Sequence, residues 1–246
     1  MADNSSLQSR WSTKKWFGFD LDNTLHTFRH ASARASTSVF EAIRAEMGSR
    51  VKIASLRASY KEILRSGTAH AFTDGRSSAE YRRERFAQLL QTHQIAFDDA
   101  QMEHLLDIYR VSLQAHLTLK PGALDLLRVL RGLDKKVIVV TEGPADAQEW
   151  TVRELGLWPW IDVLVTTNEV GKAKVDGLFG VVLDKYHIKA NEMVYFGDHA
   201  LRDVQAAAAE GILAVLYDET QESQLDDLES LRVDSWVTVQ NILVRE

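Results

Sequence analysis

The chain has 246 residues, of which 45% are hydrophobic and 26% are charged, a composition typical of a globular protein with one or two domains. Its net charge of −6 gives no general attraction to nucleic acids or to anionic membranes. The chain contains no cysteine, which excludes disulfide bonds, thiolate chemistry and cysteine-ligated zinc, so a metal would need oxygen or histidine ligands.

Residues 1–14 are polar and lack the apolar core of a secretion signal. No run of about 18 apolar residues, the length that a membrane-spanning helix needs, occurs in the chain. We therefore expect a cytoplasmic protein with a flexible tail over residues 1–14. We expect neither a membrane nor a nucleic acid as its partner.

The first predicted strand, Trp16–Phe19, belongs to the stretch FGFDLDNTL, in which Asp20 and Asp22 directly follow the apolar run. Ionisable groups are costly to bury, so two carboxylates at the end of a buried strand need a physical reason. Taken alone, this stretch is explained as well by a turn at Asp22 and Asn23. The ends of the later strands decide between a turn and a functional site.

Roughly a hundred residues separate this strand from the next one, whereas the crossover between parallel strands needs only a dozen or more. Apolar residues in this interval recur at three- and four-residue steps, which is typical of helices. The predicted helices span Ala31–Glu46, Val51–Arg65, Ser77–His93 and Asp98–His116. We therefore predict an all-helical domain over residues 28–117, inserted into an α/β domain that comprises residues 15–27 and 118–246.

After the insertion, short β-branched runs alternate with helical stretches. The predicted strands are Lys136–Val140, Val163–Thr166, Met193–Phe196 and Leu213–Leu216, with a weaker one at Trp236–Val239. The predicted helices are Gly122–Arg131, Ala145–Leu155, Asp176–His187 and Ala200–Glu210. This alternation predicts a parallel sheet covered by helices on both faces, with functional residues just beyond the carboxyl ends of the strands.

Each of the later strands is followed by polar side chains. Thr141 follows the run KVIVV, and Lys172 and Lys174 lie in the stretch GKAKVDGLF after the third strand. Asp198 and Asp203 lie in the stretch GDHALRD after the run MVYF. Parallel strands bring their carboxyl ends to one edge of the sheet, so these side chains are expected to meet Asp20 there.

These motifs, in this order, resemble those of the haloacid dehalogenase superfamily. The family has an Asp-x-Asp-x-Thr loop, then a Thr or Ser, then a Lys, and finally a Gly-Asp with a second Asp shortly after it. All four motifs are present, and the resemblance covers nearly the whole chain. It implies a Rossmann-like, doubly wound parallel sheet with an inserted helical cap of the C1 type, and FDLDNTL and VTEGP are most similar to the phosphatase and nucleotidase branch.

The resemblance implies a phosphatase that acts on a small, soluble phosphorylated metabolite. Asp20 is expected to attack phosphorus and form an aspartyl-phosphate, and Asp22 to protonate the leaving oxygen and then activate water. Thr141 and Lys174 are expected to bind the transferring phosphoryl oxygens. Lys174 is preferred to Lys172 because KVDGLF aligns best with the family's lysine motif.

Several carboxylates that face a phosphate dianion need a cation, and hard oxygen ligands favour Mg²⁺. The resemblance implies a magnesium ion held by Asp20, Asp198 and the carbonyl of Asp22. Asp203 is expected to act on the metal through a water molecule.

Two positions depart from the family pattern. Val175 replaces a usual proline, and Glu142 follows Thr141 where a small polar residue such as asparagine is usual. A carboxylate aimed at the phosphate would oppose its binding, so we expect Glu142 to point away or to meet a cation. Possible substrate contacts are Asn23, Glu142 and, from the loop SGTAHAFTDGR, His70 or Arg76.

Other functions use related residues. A phosphomutase would return the phosphoryl group to a second hydroxyl instead of to water. A dehalogenase has no use for the acid at Asp22, and a phosphorylated receiver domain carries its acids and phosphoacceptor on separate strands of a much shorter chain. A catalytically retired binding module is favoured only if Glu142 blocks the site.

Overall fold

A computed structural model describes residues 4–67, 72–220 and 231–244 of the chain. Within these residues, six parallel strands form one sheet in the order β3-β2-β1-β4-β5-β6. The strands are β1 (Trp16–Phe19), β2 (Lys136–Thr141), β3 (Val163–Thr166), β4 (Met193–Gly197), β5 (Leu213–Tyr217) and β6 (Leu231–Val233).

The chain runs from β1 outwards through β2 to β3, and then returns to the other side of β1 to form β4, β5 and β6. The strand order therefore reverses between β1 and β4, and in parallel sheets ligands bind in the crevice beyond the strand ends at such a point. Phe19 aligns with Val139 of β2 and with Phe196 of β4. The residues that follow these three strands are consequently neighbours.

Helices account for most of the remaining structure. They are α1 (Asn4–Ser12), α2 (Phe28–Met47), α3 (Ile53–Gly67), α4 (Ser78–Thr92), α5 (Asp99–His116), α6 (Ala123–Gly132), α7 (Ala145–Glu154), α8 (Thr167–Val170), α9 (Leu178–Lys185), α10 (Ala206–Ala209) and α11 (Trp236–Leu243). Short 3₁₀ turns occupy Gly48–Arg50, Trp158–Trp160, Lys174–Asp176 and Ala190–Glu192, and a π-helical segment occupies Ala200–Gln205.

The sheet is buried on both faces, as alternation along the strands dictates. Phe17 and Phe19 of β1 point into one apolar cluster, which also contains residues of α1, α6 and α11. Met193 and Tyr195 of β4 point into a second cluster on the opposite face, together with residues of α9 and α10. The predicted Rossmann-like, doubly wound α/β core is thereby confirmed.

Helices α2, α3, α4 and α5 lie between β1 and β2 and form a third apolar cluster of their own. Phe40, Tyr60 and Phe86 are buried in it with stacked and edge-on rings. Helices α4 and α5 each begin with a capping box, at Ser77 and at Asp98. Division of the chain at residues 28 and 117 into cap and core domains stays a prediction.

The prediction of a flexible tail over residues 1–14 is wrong for the described part of that segment. Residues 4–12 form α1, whose Trp11 is fully buried and packs edge-on against Phe196 at 5.5 Å between ring centroids. Leu7 joins the same core cluster. The segment is polar on average, so its composition did not reveal that two apolar side chains lie on one face of a helix. Burial of those two side chains orders the helix.

The predicted strand Trp236–Val239 is also wrong, because these residues belong to helix α11. Ser235 caps its first turn by accepting a hydrogen bond from the Thr238 amide. The buried positions Trp236, Val239 and Leu243 recur at three- and four-residue steps, the helical period that a four-residue window cannot reveal. The sixth strand is Leu231–Val233 instead.

The five other predicted strands are confirmed within one residue at each end. The predicted helix Asp176–His187 begins later, at Leu178, because Gly177 adopts a left-handed conformation with φ of +91°. Within the described residues, the helices are too short or too polar to cross a lipid bilayer.

We expect Trp11→Ala to lower the free energy of unfolding by about 3–5 kcal/mol, because the substitution leaves a large cavity against Phe196. Urea titration followed by circular dichroism measures this change. Trp158→Ala is the matched control, since the Trp158 side chain is 47% exposed and its loss should cost less than about 1 kcal/mol. Equal losses in both variants would contradict an ordered, packed helix α1.

Candidate active site

The polar side chains that follow strands β1, β2 and β4 meet at the carboxyl edge of the sheet. Asp20 follows β1, Thr141 ends β2 and Asp198 follows β4. The Asp20 amide donates to the Phe196 carbonyl at 2.8 Å, which continues the pairing of β1 with β4 by one residue. Asp20 is thus held on the central strand, directly at the point where the strand order reverses.

Lys174 links two of the predicted aspartates. Its Nζ donates to Asp20 Oδ1 and to Asp203 Oδ1, both at 2.6 Å. Asp20, Lys174 and Asp203 are all buried, and the second oxygen of Asp20 accepts a hydrogen bond from the Thr24 hydroxyl at 3.1 Å. The structure therefore brings Lys174, and not the exposed Lys172, to the carboxylates.

This buried group contains two acids and one cation, and its pKa values reflect that imbalance. Burial raises the pKa of Asp20 to about 8; Lys174 lowers it, and the charges of Asp203 and Asp198 raise it further. Burial alone would lower the pKa of Lys174, but the charges of Asp20 and Asp203 outweigh it and raise that pKa well above the usual value. Lys174 therefore stays protonated, and in the metal-free protein Asp20 retains a proton at neutral pH.

Local backbone features position Asp203. It lies in the π-helical segment after β4, and its Oδ2 accepts a hydrogen bond from the His199 amide at 2.9 Å. A Cβ atom on Gly197 would lie 2.3 Å from the Asp203 carboxyl carbon, so only glycine permits this close approach. The Tyr195 hydroxyl donates to the Val140 carbonyl at 2.8 Å and lies 3.4 Å from Asp203 Oδ1.

Asp20, Asp198 and Asp203 could hold a metal ion, because one oxygen of each lies within 4.8 Å of the others. Burial raises the pKa of Asp198, an effect that Arg29 partly opposes through an ion pair with Asp198 Oδ2 at 2.8 Å. Three carboxylates are hard oxygen donors and suit a divalent cation such as Mg²⁺. The carboxylate of Asp22 does not belong to this cluster among the described residues.

The Asp22 carboxylate is held by two other side chains. Its Oδ1 lies 2.8 Å from Nε2 of the fully buried His26, and its Oδ2 accepts from Gln148 Nε2 at 3.4 Å. An ionised carboxylate can only accept, so the proton of this pair lies on His26 Nε2 whenever Asp22 is charged. Asp22 thereby keeps a fixed orientation, separate from the pair of acids bound to Lys174.

Thr141 and Asn23 have contrasting surroundings. The Thr141 side chain is fully buried, and its hydroxyl has no hydrogen-bond partner among the described residues. Asn23 lines the cavity described below and has φ of +66°, a left-handed conformation that asparagine tolerates. Its Oδ1 accepts a hydrogen bond from the Arg29 amide at 2.8 Å, which stabilises the start of α2.

Glu142 is turned towards two donors. Its Oε1 accepts from the Lys174 amide at 3.2 Å, and its Oε2 forms an ion pair with Arg202 Nη1 at 3.0 Å. Its extra negative charge is therefore matched by a cation and ties the loop that carries Lys174 to the end of β2. This geometry fits the expectation that Glu142 meets a cation.

A cavity of about 750 Å³ lies between the carboxyl edge of the sheet and helices α2 to α5. Asp20, Asp22 and Lys174 line its floor, as do Asp198 and Asp203. Its volume is sufficient for a small organic substrate.

Neither residue proposed from the SGTAHAFTDGR loop is shown at the cavity. Arg76 pairs with Glu84 at 2.7 Å and lies 4.6 Å from the Tyr81 ring centroid, and it is not among the described residues that line the cavity. His70 lies outside the described residues.

Sequence reasoning missed several residues that contact the predicted acids, among them His26, Arg29, Gln148, Arg202 and Tyr195. His26 follows Asp22 by four residues, a spacing that was available as a signal. Gln148 lies in α7 and Arg202 in the π-helical segment, each shortly after a motif, but nothing in their local sequence distinguishes them from surface residues.

The sequence also matches a model of a known protein family. A model of the haloacid dehalogenase-like hydrolases matches residues 14–211, which include Asp20, Thr141, Lys174 and the two aspartates that follow β4. The chain belongs to this hydrolase family. The match confirms the resemblance that the four motifs indicated.

Curated relatives support the phosphatase branch of the haloacid dehalogenase-like hydrolases. Ribulose-1,5-bisphosphate 5-phosphatase of Halopiger xanaduensis is 26% identical over 208 residues, which are 83% of this chain and 85% of that protein. Glyceraldehyde 3-phosphate phosphatase of Methanocaldococcus jannaschii is 30% identical over 96 residues, which are 39% of this chain and 42% of that protein.

Among solved structures, a 2-haloacid dehalogenase of Pseudomonas syringae pv. Tomato DC3000 is similar with a TM-score of 0.68. It is 22% identical, and the match covers 94% of this chain and 98% of that one. At this level of identity the likeness concerns the fold alone, and the reaction has to be argued from the site.

We expect the pKa of Asp20 to make the metal-free protein less stable as the pH rises from about 4 to 8. In this range the unfolded chain ionises Asp20 while the folded chain keeps its proton, so the folded state binds more protons. Asp20→Asn should remove this contribution, whose slope is at most ~1.4 kcal/mol per pH unit, and should leave Lys174 paired with Asp203.

Urea unfolding of both proteins in EDTA between pH 5 and 8.5 measures the difference. The stability of Asp20→Asn relative to the wild type should increase with pH. Parallel curves for the two proteins would contradict a raised pKa of Asp20.

Proposed function

We propose that this protein is a Mg²⁺-dependent phosphatase that hydrolyses a small soluble phosphomonoester through an aspartyl-phosphate on Asp20. The observation that carries the proposal is the separation of the two neighbouring acids. Asp20 lies on the cavity floor next to the Lys174 ammonium, whereas Asp22 is held by His26 and Gln148. One acid thus lies beside a cation for attack on phosphorus, and the other is held separately at the cavity, where it can exchange a proton with the substrate.

In the first step, Asp20 attacks phosphorus, and the bond from phosphorus to the leaving oxygen breaks. Asp22 gives a proton to that oxygen, so the product departs as a neutral alcohol. In the second step, Asp22 takes a proton from water, the water oxygen attacks phosphorus, and the bond to Asp20 breaks. Asp22 thus ends protonated, as it began, and inorganic phosphate is released.

Several side chains hold these groups in place. Lys174 binds Asp20 Oδ1 and the Thr24 hydroxyl binds Oδ2, which fixes the orientation of the nucleophile. Lys174 also neutralises negative charge on the transferring phosphoryl group. The Thr141 hydroxyl has no partner among the described residues, but Thr141 does not line the cavity, so its hydrogen bond to a phosphoryl oxygen stays a prediction.

Asp20 and Asp198 would hold the magnesium ion, with Asp203 beside them. When bound, Mg²⁺ would supply the positive charge that lowers the pKa of Asp20 and neutralises the phosphate. The Arg29 guanidinium that pairs with Asp198 would then be free to turn towards the cavity, which it also lines.

We propose that residues 28–117 act as a cap over this site. Contacts between the helical insertion and the core support this arrangement: the Ser78 hydroxyl and amide donate to Asp146, and Asn168 donates to the Phe72 carbonyl. A cap of this kind excludes water from the phosphoryl intermediate and contributes contacts to the leaving group.

The relatives support a phosphorylated small molecule as the substrate. Their names specify ribulose 1,5-bisphosphate, glyceraldehyde 3-phosphate and validoxylamine A 7'-phosphate, all of them small phosphoesters. Asp22 argues against a dehalogenase, which has no use for this acid. A retired binding module is disfavoured because Glu142 is paired with Arg202 and does not block the phosphate site.

We expect Asp20→Asn to abolish release of inorganic phosphate, because the amide neither attacks phosphorus nor carries the charge that holds Mg²⁺. A panel of phosphorylated metabolites and an aryl phosphate, each tested with Mg²⁺ or with EDTA, measures this. The wild type should release phosphate only with the metal. If Asp20→Asn kept more than about a tenth of the wild-type rate, Asp20 would not be the nucleophile. If the wild type isomerised a substrate without releasing free phosphate, it would be a mutase.

We expect Asp22→Asn to slow hydrolysis of alkyl phosphates far more than that of aryl phosphates, because a good leaving group needs little protonation. His26→Asn, which loosens the orientation of Asp22, should show the same contrast to a smaller degree. The ratio of kcat/KM for the two substrate types is the readout. Equal losses on both types would assign Asp22 to metal positioning rather than to proton transfer.

A further inference from the structure

The part of the cavity wall that the helical insertion forms is strongly basic. The helical insertion contributes six arginine or lysine side chains to the lining and, within the described residues, no aspartate or glutamate. These basic residues are Arg29, Arg34, Arg57, Lys61, Arg82 and Arg85. The complete lining contains eight basic and five acidic side chains, so positive charge exceeds negative charge although the whole chain is acidic.

Some of these cations have partners that account for them. Arg29 pairs with Asp198, and Arg34 Nε contacts His116. Two other cations of α3 and α4, Arg65 and Arg83, form ion pairs among the described residues. Arg83 pairs with Asp99 and does not line the cavity.

Four cations of the wall remain without a carboxylate partner. They are Arg57 and Lys61 on α3 and Arg82 and Arg85 on α4, and none of them forms an ion pair with a carboxylate among the described residues. Unpaired positive charge that faces a cavity attracts an anionic ligand.

The surroundings of Arg82 and Arg85 hold their charges towards the cavity. The Arg82 guanidinium lies 5.1 Å from the Tyr109 ring centroid and donates to the Ser78 hydroxyl at 3.0 Å. The Arg85 guanidinium lies 5.5 Å from the Phe72 ring centroid, and its Nη2 is buried without a hydrogen-bond partner among the described residues. A buried cationic donor without an acceptor is costly, and a bound anion removes that cost.

The nearby Tyr60 adds a neutral donor to these cations. Its side chain is 5% exposed and lines the same cavity. Burial raises the pKa of Tyr60, so its hydroxyl keeps its proton throughout the physiological range. Arginine guanidinium groups, an ammonium and a protonated hydroxyl are together the donors that recognise phosphate and carboxylate oxygens.

We propose that Arg57, Lys61, Arg82 and Arg85 form a second anion site, which binds a phosphate or carboxylate at the end of the substrate remote from the reacting phosphate. The proposal rests on the proposed phosphatase function, and it specifies the class of substrate: a small phosphomonoester that carries a second anionic group. The reacting phosphate lies at Asp20 on the cavity floor, while the second anion lies against the helical insertion.

This site also gives the cap a physical reason to close on the correct substrate. A bis-anionic molecule binds the core through its reacting phosphate and the helical insertion through its second anion. The two contacts together hold α3 and α4 against the carboxyl edge of the sheet. A substrate without a second anionic group lacks the second contact and gains less from closure.

The test compares matched pairs of substrates in the presence of Mg²⁺. Fructose bisphosphate is compared with fructose monophosphate, and phosphoglycerate with glycerol phosphate, so that one arm adds a phosphate and the other a carboxylate. We expect the wild type to prefer the second anion by about tenfold or more in kcat/KM. Arg85→Gln and Arg82→Gln should reduce this ratio by about tenfold, chiefly by raising KM for the bis-anionic substrate.

Arg83→Gln on the same helix is the matched control and should leave the ratio within about twofold. Thermal unfolding verifies that each variant is folded. If an arginine variant is not folded, Lys61→Gln replaces it, because Lys61 lies at an exposed position. A preference confined to one arm identifies the second anion as phosphate or carboxylate and supports the site.

Two negative results are distinguishable. If phosphate is released equally from both members of each pair, and the variants behave like Arg83→Gln, the second anion site is overturned while the phosphatase function stands. If the wild type releases phosphate from no substrate, the phosphatase function itself fails, and the second anion site fails with it.

Discussion

The candidate active site depends on one buried ammonium group shared by two carboxylates. Lys174 Nζ binds Asp20 and Asp203 at equal distances of 2.6 Å, and these three residues come from segments that follow three different strands. Two buried acids without this cation would repel each other at high cost. The pair of contacts therefore holds the end of β1, the turn before α9 and the π-helical segment after β4 in one arrangement.

The neighbouring features serve that arrangement. Glu142 accepts from the Lys174 amide and pairs with Arg202, so the lysine loop is fastened to the end of β2 and to the segment that carries Asp203. Gly197 leaves room for the Asp203 carboxylate, and Gly18 leaves room for Tyr195, which hydrogen-bonds to the end of β2. Two acids share one cation, so the group gains a net negative charge once Asp20 loses its proton, and a divalent metal would neutralise that charge.

Charge is divided between the two sides of the cavity. The acids lie on the core, and the cations that have no carboxylate partner within the described part of the chain lie on the helical insertion. Such a division favours a ligand that spans the cavity over one that occupies only its floor. In the proposed function, the sheet supplies the reactive groups and the helical insertion supplies the groups that recognise the substrate.

The sequence by itself determined the parallel sheet and the helices between its first two strands, because strand-length apolar runs and helical periods are local patterns. It also predicted, through the family resemblance of its motifs, that Asp20, Lys174 and Asp203 lie together at the strand ends. Only the tertiary structure decided the role of α1, the helix at Trp236 and the partners of Asp22 and Glu142. His26, Gln148 and Arg202 acquire their contacts through packing between segments distant in sequence or through a fold-dependent turn. The basic cavity wall arises in the same way, since Arg82, Arg85 and Lys61 look in sequence like the charged residues of any exposed helix, and only the packing of α3 and α4 places them along the cavity.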